Sequence, residues 1–565
     1  MSAPVAERPV LSGAAPAQRI SWRVRASGEL AACTLLRPGR RPALELRTAT
    51  TRIVRDVPHL GPSSQLLLRD DGTVLLCHHR AGRHLVERLE PDGEIVPVAV
   101  SLAQGLALVD ETHALEYDRA GFSRLVALTA AGPVEVAAFD GPAVGAVRLD
   151  AGRVAVDLMA GGHCSAVEVD TGTGAVEPFV CVSPRSDDHV LDYLPAANLL
   201  VVSTDATGEV RLGTGRPGRT PVTFPQALSG PGPATYLAAA QDGTRLAVSF
   251  EAGARSQLSI VDLVGGTARA VEVPPLVVLG RGALTATDLV VPVSTPDRPA
   301  TLLRADLATG AIRLDDAPIH GLSRCRVERF AGVEAVVVGE PATAETVLVA
   351  LHGGPLSAWR AMYDPLPATL AAAGIAVVAP NIRGSVGYGR AHALAIVDAW
   401  GGPDLADVLA VGAEVTGLRP PGARRPGLLG ISYGAYLALL AAQRSPHAWS
   451  LCAALAPFVS GARLVGQGGP VADLVRRLGG ATSPDLRDGL GATAAPVLLL
   501  HGEGDDVIPI AESALLHDAL RSRAHPCTFR PLAGTGHDLL AGPLGAEVTA
   551  SVVAFCHDSR HLGAG

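Results

Sequence analysis

The sequence predicts two domains, an all-β propeller followed by a doubly wound parallel α/β sheet, and three observations carry that expectation. First, 565 residues exceed a single compact domain, given roughly 100–200 residues per domain. Second, from about Ser21 to Leu314 short apolar strands alternate with Gly, Asp, Pro and Thr turns, and almost no segment is long enough for a helix. Third, after Leu314 apolar strand runs alternate with segments of helical period. The expected limits are 1–20 for an N-terminal extension, 21–320 for the propeller and 321–565 for the α/β domain.

In the first half, six segments share a strand, loop, strand, tight turn, strand unit, as in HALEYDR…RLVALTAAGPVEVAAF and RLAVSF…LSIVDLVGGTARAVEV. Their turn glycines, Gly93, Gly132, Gly174, Gly218, Gly266 and Gly310, are 39, 42, 44, 48 and 44 residues apart, the period of a four-stranded blade. An earlier turn at Thr48–Thr51 extends the series to seven, and the repeat by itself leaves six or eight blades open. A β-sandwich with regular turns is the alternative, and one unit repeated over about 300 residues favours the propeller.

In the second half, ETVLVALHGG, LPATLAAAG, IAVVAPN, DLADVLAVGAEV, PGLLGIS, YGAYLALLAAQR, APVLLLHGE and ESALLHDALRSR alternate strand with helix, and 548–556 suits a closing helix. Such alternation builds a parallel sheet that carries its chemistry at the carboxyl ends of its strands.

Composition removes whole function classes. None of the 47 basic residues is Lys, which excludes a P-loop phosphate lysine and a Schiff-base or pyridoxal-phosphate lysine. A net charge of −8 argues against a nucleic-acid surface. The eight Cys show no C-x-x-C pair and read as reduced core residues. Cys77, His78, His79 and His84 are close in sequence, but in a strand Cys77 and His79 face away from His78 and no carboxylate joins them. No metal and no cofactor is therefore expected. The N-terminus lacks a basic start followed by an apolar stretch, and no run of about 18 uncharged apolar residues occurs, so a soluble cytoplasmic protein without a membrane partner is expected.

The chemistry-bearing residues lie in the second half. Gly430-Ile431-Ser432-Tyr433-Gly434 sits between a strand run and a helix run, the setting of a nucleophile elbow in which Ser432 takes a strained turn and Gly430 and Gly434 avoid collision with strand and helix. A serine hydroxyl needs a base and an orienting carboxylate, and such sheets supply them later in the chain in the order Ser, Asp, His. Asp505, just past the run PVLLL, and His537, in GTGHD, fill those places; Asp506 is the fallback carboxylate, and His501 is read as support for the loop. An oxyanion needs two backbone N–H donors, assigned to Tyr433 and to Gly354 in the loop His352-Gly353-Gly354-Pro355.

Together HGGP (His352 to Pro355), NIRGSVGYG (Asn381 to Gly389), Trp400-Gly401 with Asp404 and Asp407, GISYG, HGEGDDVIP and GTGHD form an ordered set that resembles the prolyl oligopeptidase family of serine peptidases, in its acylaminoacyl-peptidase and dipeptidyl-peptidase branch. The resemblance implies an α/β-hydrolase paired with a β-propeller, a triad Ser432, Asp505, His537, and a propeller that shields the site from large substrates. This chain departs from the family in having Val507 where an Arg often helps hold a substrate carbonyl. It also has Ala435 where a second Gly is common, and no Phe, Tyr or Trp from Val459 to Leu490. The expected function is hydrolysis of small peptides or related amides through an acyl-enzyme on Ser432, with aliphatic or small acyl groups accepted at least as well as proline. An esterase or acyltransferase acting on a small biosynthetic substrate uses the same site and is the alternative, and a non-catalytic propeller scaffold is the alternative of another class. A homo-oligomer is compatible with each reading.

Overall fold

The structure, a computed structural model, describes residues 17–37, 40–69, 71–118, 121–540 and 544–558. They fall into two compact units, one running to Glu251 and from Ser256 to Ala317, the other taking Ala252–Arg255 and the chain from Pro318 on. Most of the expected N-terminal extension lies outside the described residues. The first strand, Gln18–Val24, begins ahead of residue 21, because Arg19 and Trp22 are buried there.

The first unit is a seven-bladed β-propeller. Six blades are antiparallel four-stranded sheets of consecutive strands, and the seventh, Val277–Leu314, has its inner strand broken into two short pieces. The six spaced glycines each turn the chain between the third and fourth strand at positive φ, for example 103° at Gly93 and 74° at Gly174, where a side chain would be strained. Asp170 and Asp306 close two of these turns by accepting from the N–H groups of Thr173 and Thr309.

The blades are apolar on both faces, and each face packs on a neighbour. Leu75 and Cys77 meet Leu106 and Ala114 of the third blade, while Val74 and Leu76, pointing the other way, meet Ala32 and Leu44 of the first. The last such interface joins the ring's ends: Trp22, Ala31 and Cys33 of blade one pack on Val290, Ala300 and Leu302 of blade seven.

Among the described residues no strand is exchanged across that closure, and side chains hold it. Beside the apolar patch, Arg47 binds Asp316 through both terminal nitrogens at 2.7 and 2.8 Å, and Thr301 Oγ1 donates to the same carboxylate at 2.6 Å. Fully buried Glu45 gathers Arg19, Arg47 and Arg52. Asp316→Ala leaves Arg47 without its bidentate partner and is expected to destabilise the propeller by about 1–3 kcal/mol. Denaturant unfolding read beside an exposed control such as Asp92→Ala checks this, and equal midpoints would show that the apolar patch closes the ring unaided.

The second unit is an eight-stranded sheet of β1 (Cys325–Phe330), β2 (Val333–Val338), β3 (Thr346–Leu351), β4 (Ile375–Pro380), β5 (Gly427–Ile431), β6 (Cys452–Leu455), β7 (Val497–Gly502) and β8 (Cys527–Leu532). Their order is β1-β2-β4-β3-β5-β6-β7-β8, parallel from β4 onward. Alternate residues of β3 feed two cores. Val347, Val349 and Leu351 pack with helices Pro403–Gly417 and Tyr433–Arg444, and Leu348 and Ala350 with helices Pro365–Ala372 and Gly545–Asp558. Every residue of β3 and β4 is buried, which is why both read as unbroken apolar runs.

Candidate active site

Strand β5 passes into helix Tyr433–Arg444 through Ser432 alone, at φ 55° and ψ −118°. A non-glycine residue in this region costs of the order of 1–3 kcal/mol and persists only where its surroundings enforce it. They do: the Ser432 N–H donates to Leu455 O at 2.8 Å, and the helix that follows is buried along nearly its whole length. The flanking glycines are steric requirements. A Cβ on Gly430 would overlap the Gly434 carbonyl, and one on Gly434 would overlap the carbonyl oxygen of Leu351.

At the carboxyl end of β3 lies the loop His352-Gly353-Gly354-Pro355. Gly353 lies beside the serine: a Cβ built on it would stand 3.4 Å from the Ser432 Cβ, in ordinary contact. Gly354 has φ 122°, again a glycine conformation. Among the described residues, neither the N–H of Gly354 nor that of Tyr433 is given a protein acceptor. The His352 ring is set by its partners. Nδ1 donates to Gly353 O at 2.8 Å, which leaves Nε2 to accept from Ser385 Oγ at 2.8 Å. Burial pushes this imidazole down to about 4, so it stays neutral in the folded protein.

Asp505 follows β7 and His537 follows β8. His537 Nδ1 donates to Asp505 Oδ2 at 2.8 Å, and its Nε2 lies 3.1 Å from Ser432 Oγ. The other oxygen of Asp505 accepts from the N–H groups of Val507 and Ile508 at 2.9 and 2.8 Å. Burial alone would raise this carboxyl; the bonds from His501, His537 and the Ile508 N–H outweigh it and hold it well below the usual carboxylate range. Asp506, the fallback, is exposed. His501 is fully buried, and its Nε2 faces two acceptors, Ile508 O at 2.8 Å and Asp505 Oδ2 at 3.1 Å, so it must be the donor. Its Nδ1 then accepts from Ser513 Oγ at 2.7 Å. Asp505 Oδ2 is thus held between two imidazoles.

Two supporting groups had no clear signal in the sequence. The Tyr433 hydroxyl donates to buried Asp404, and the Tyr433 ring meets Trp400 edge-on at 4.8 Å, which fixes the residue carrying one proposed oxyanion donor. Fully buried Glu512 accepts from the Val459 N–H at 3.0 Å and from Arg463 at 2.9 Å, tying the segment after β6 to the helix after the Asp505 loop. Asp404 stands within a quoted motif, but nothing in its spacing names Tyr433 as its partner, and Glu512 looks like any first-turn helix acid. Asp407 binds Arg383 through both carboxylate oxygens, so these motif residues brace the loop after β4. Trp400, Trp449 and Phe458 are buried core aromatics; Phe458 stacks on Tyr436 at 4.7 Å, and the Trp449 indole N–H bonds Ala441 O.

Sheet order and elbow together define an α/β-hydrolase domain joined to a propeller. Residues 362–467 match the model of the prolyl oligopeptidase family. The acylamino-acid-releasing enzyme of Rattus norvegicus is 27% identical over 232 residues, 38% of this chain and 31% of that enzyme. Dipeptidyl peptidase family member 6 of Caenorhabditis elegans is 26% identical over 220 residues, 35% of this chain and 29% of that protein. The chain therefore spans about a third of the length of these curated relatives. Nearly the whole chain superposes on a solved puromycin-hydrolysing peptidase of Mycobacterium tuberculosis, with TM-score 0.76, 19% identity, and coverage of 96% of this chain and 94% of that one. The acylaminoacyl peptidase of Pyrococcus horikoshii gives TM-score 0.76 at 14% identity, covering 96% and 95%. Among the described residues no helix is long and apolar enough to cross a membrane.

Neutral His352 makes a pH prediction. Its folded value of about 4 lies below the unfolded value of about 6.5, so the unfolded chain binds the proton first as pH falls. The stability it contributes is complete above about pH 6.5 and is lost toward pH 4, up to about 3 kcal/mol. Urea midpoints at pH 7 and pH 4.5 should converge by part of that amount in His352→Gln, and an unchanged pH dependence would show that this imidazole is not held neutral.

Proposed function

We propose that the chain is a serine hydrolase that cleaves short peptides and related small amides through an acyl-enzyme on Ser432. The observation that carries this reading is the hydrogen-bonded series from Ser432 Oγ through both nitrogens of His537 to Asp505. With Nδ1 donating to the carboxylate, Nε2 carries a lone pair toward the serine O–H, the tautomer a general base needs. Ser432 Oγ attacks the substrate carbonyl carbon as its proton moves to Nε2. The carbonyl oxygen takes the negative charge beside the N–H groups of Tyr433 and Gly354, which have no protein acceptor among the described residues. Collapse returns the electron pair to the carbonyl, and His537 gives its proton to the departing amine. Water then repeats the sequence and releases the acid. His352, Gly353, Gly430 and Gly434 keep the two donors and the nucleophile in one frame.

The names of the similar proteins, acylamino-acid-releasing, acylaminoacyl and puromycin-hydrolysing, support amides of small acyl or amino-acid groups as substrates. Restriction to short substrates is assigned to the propeller, on the likeness of the whole chain to peptidases of the same two-part build. A preference for aliphatic over prolyl groups rests on the segment from Val459 to Leu490. It contains no aromatic residue, and the charges of Arg463, Arg476 and Arg487 are engaged by Glu512, Asp473 and Asp485. A cytoplasmic setting is in keeping with eight free thiols, five of them buried.

Purified protein assayed on alanyl, leucyl, prolyl and acetyl-alanyl p-nitroanilides tests the proposal. Alanyl or leucyl compounds are expected to match or exceed the prolyl one in kcat/KM, with Ser432→Ala lowering every rate by about 10⁴-fold or more. Turnover that survives in Ser432→Ala would remove the nucleophile. A prolyl preference of about 100-fold, worth about 2.7 kcal/mol in transition-state binding, would overturn the reading of the acyl pocket.

A further inference from the structure

The propeller contains a cavity of about 650 Å³ lined by the inner strands of blades one, five, six and seven, a volume suited to a small molecule. Its charged lining consists of Arg23, Arg281 and Asp192. Both arginines stand where an inner strand departs from regular geometry. In blade one the pairing register shifts between Ile20 and Arg23, with Ser21 at φ 56°. In blade seven Arg281 lies between Gly280 and Gly282 in the gap dividing the inner strand, and a Cβ on Gly282 would overlap the Val290 carbonyl. Such interruptions re-aim side chains, and here two of them, in different blades, present a guanidinium to one cavity.

Neither guanidinium has a counter-ion among the described residues. Arg23 Nη1 donates to Trp22 O and Arg281 Nη1 to Leu191 O, both at 2.8 Å, and neither forms an ion pair. The remaining carboxylate is engaged: Asp192 accepts from the Tyr236 hydroxyl at 2.5 Å and from the Tyr193 N–H at 2.8 Å. The Arg281 guanidinium, on an exposed residue, lies 5.2 Å over the Tyr236 ring, which favours an orientation along the cavity wall. Burial and the neighbouring Arg281 charge both push Arg23 below its ordinary value, so the two cations feel each other. Two arginines and one aspartate leave the lining with one net positive charge, which a single monoanion neutralises. A guanidinium offers paired N–H donors in the geometry of a carboxylate, and Leu237, Ala238, Leu279 and Leu284 provide an apolar wall beside them.

We infer that this cavity binds the carboxylate of a small aliphatic molecule between Arg23 and Arg281. Two sources share that chemistry, the free C-terminus of a short peptide and a free organic acid, and two arms of one experiment separate them. Calorimetric titration of the full chain uses butyrate against butyramide for the acid. For the peptide it uses acetyl-dialanine against its C-terminal amide, in the Ser432→Ala background to prevent turnover. At least one acid is expected to bind about tenfold or more tightly than its amide, with Arg23→Gln and Arg281→Gln each weakening the acid by a similar factor and Arg281→Lys retaining part of the binding. In an otherwise unsubstituted chain, both arginine variants should keep kcat on alanyl p-nitroanilide within about twofold of the parent. Binding by butyrate identifies a free acid and binding by the peptide alone identifies a C-terminus; either supports the site. Equal binding of acids and amides, acid binding unchanged in both Gln variants, or no acid bound at about 10 mM would overturn it. The acid–amide comparison stands even if an arginine variant fails to fold.

Discussion

The backbone of Ser432 is the constraint on which the rest of the catalytic unit depends. Held at φ 55° between a buried strand and a buried helix, it projects the hydroxyl off the carboxyl edge of the sheet, where the loops after β3, β7 and β8 end. Gly434 packs on the carbonyls of Leu351 and His352 too closely to admit a Cβ, which ties the helix after Ser432 to the start of the loop that carries Gly354. The strain is offset by the burial of nearly every residue of the helix from Tyr433 to Arg444.

Around that point the buried polar groups are satisfied in series. Asp505 accepts four hydrogen bonds, two from main chain and two from imidazoles, which keeps it ionised despite its burial. His501 passes the constraint to Ser513, and Glu512, one residue earlier in the same helix, passes it to Arg463 and Val459. One helix start therefore positions both the carboxylate and the segment read as the acyl-pocket wall. Asp404 does the same for Tyr433 from the opposite side of the elbow.

The reach of the sequence follows the range of the forces involved. The blade repeat was legible because six units share a turn that glycine fits easily, while the count stood open between six and eight because the first unit turns at Thr48–Thr51 without glycine; the strand–helix alternation was legible because β3 and β4 are buried on both faces. Ser432, Asp505 and His537 could be placed because the fold fixes their chain order, and Gly430 and Gly434 because steric exclusion leaves no other residue. The partners of the supporting carboxylates were not legible, even where Asp404 itself stood in a motif. Glu512 and Asp404 bind partners tens of residues away or on another element, and neither periodicity nor local turn chemistry encodes that. Nor did the strand repeat reveal that blade seven breaks its inner strand at Gly280 and Gly282, because the break is set by packing against Val290.

The central claim is that Asp505, not its exposed neighbour, orients His537 toward Ser432. Replacement of each by asparagine, with kcat/KM followed on one alanyl anilide, measures it directly. Asp505→Asn should lower the rate by about 10³–10⁴-fold, because an amide can donate to Nδ1 and so favour the wrong tautomer, while Asp506→Asn should stay within about threefold of the parent. A larger loss at Asp506 than at Asp505 would contradict the arrangement.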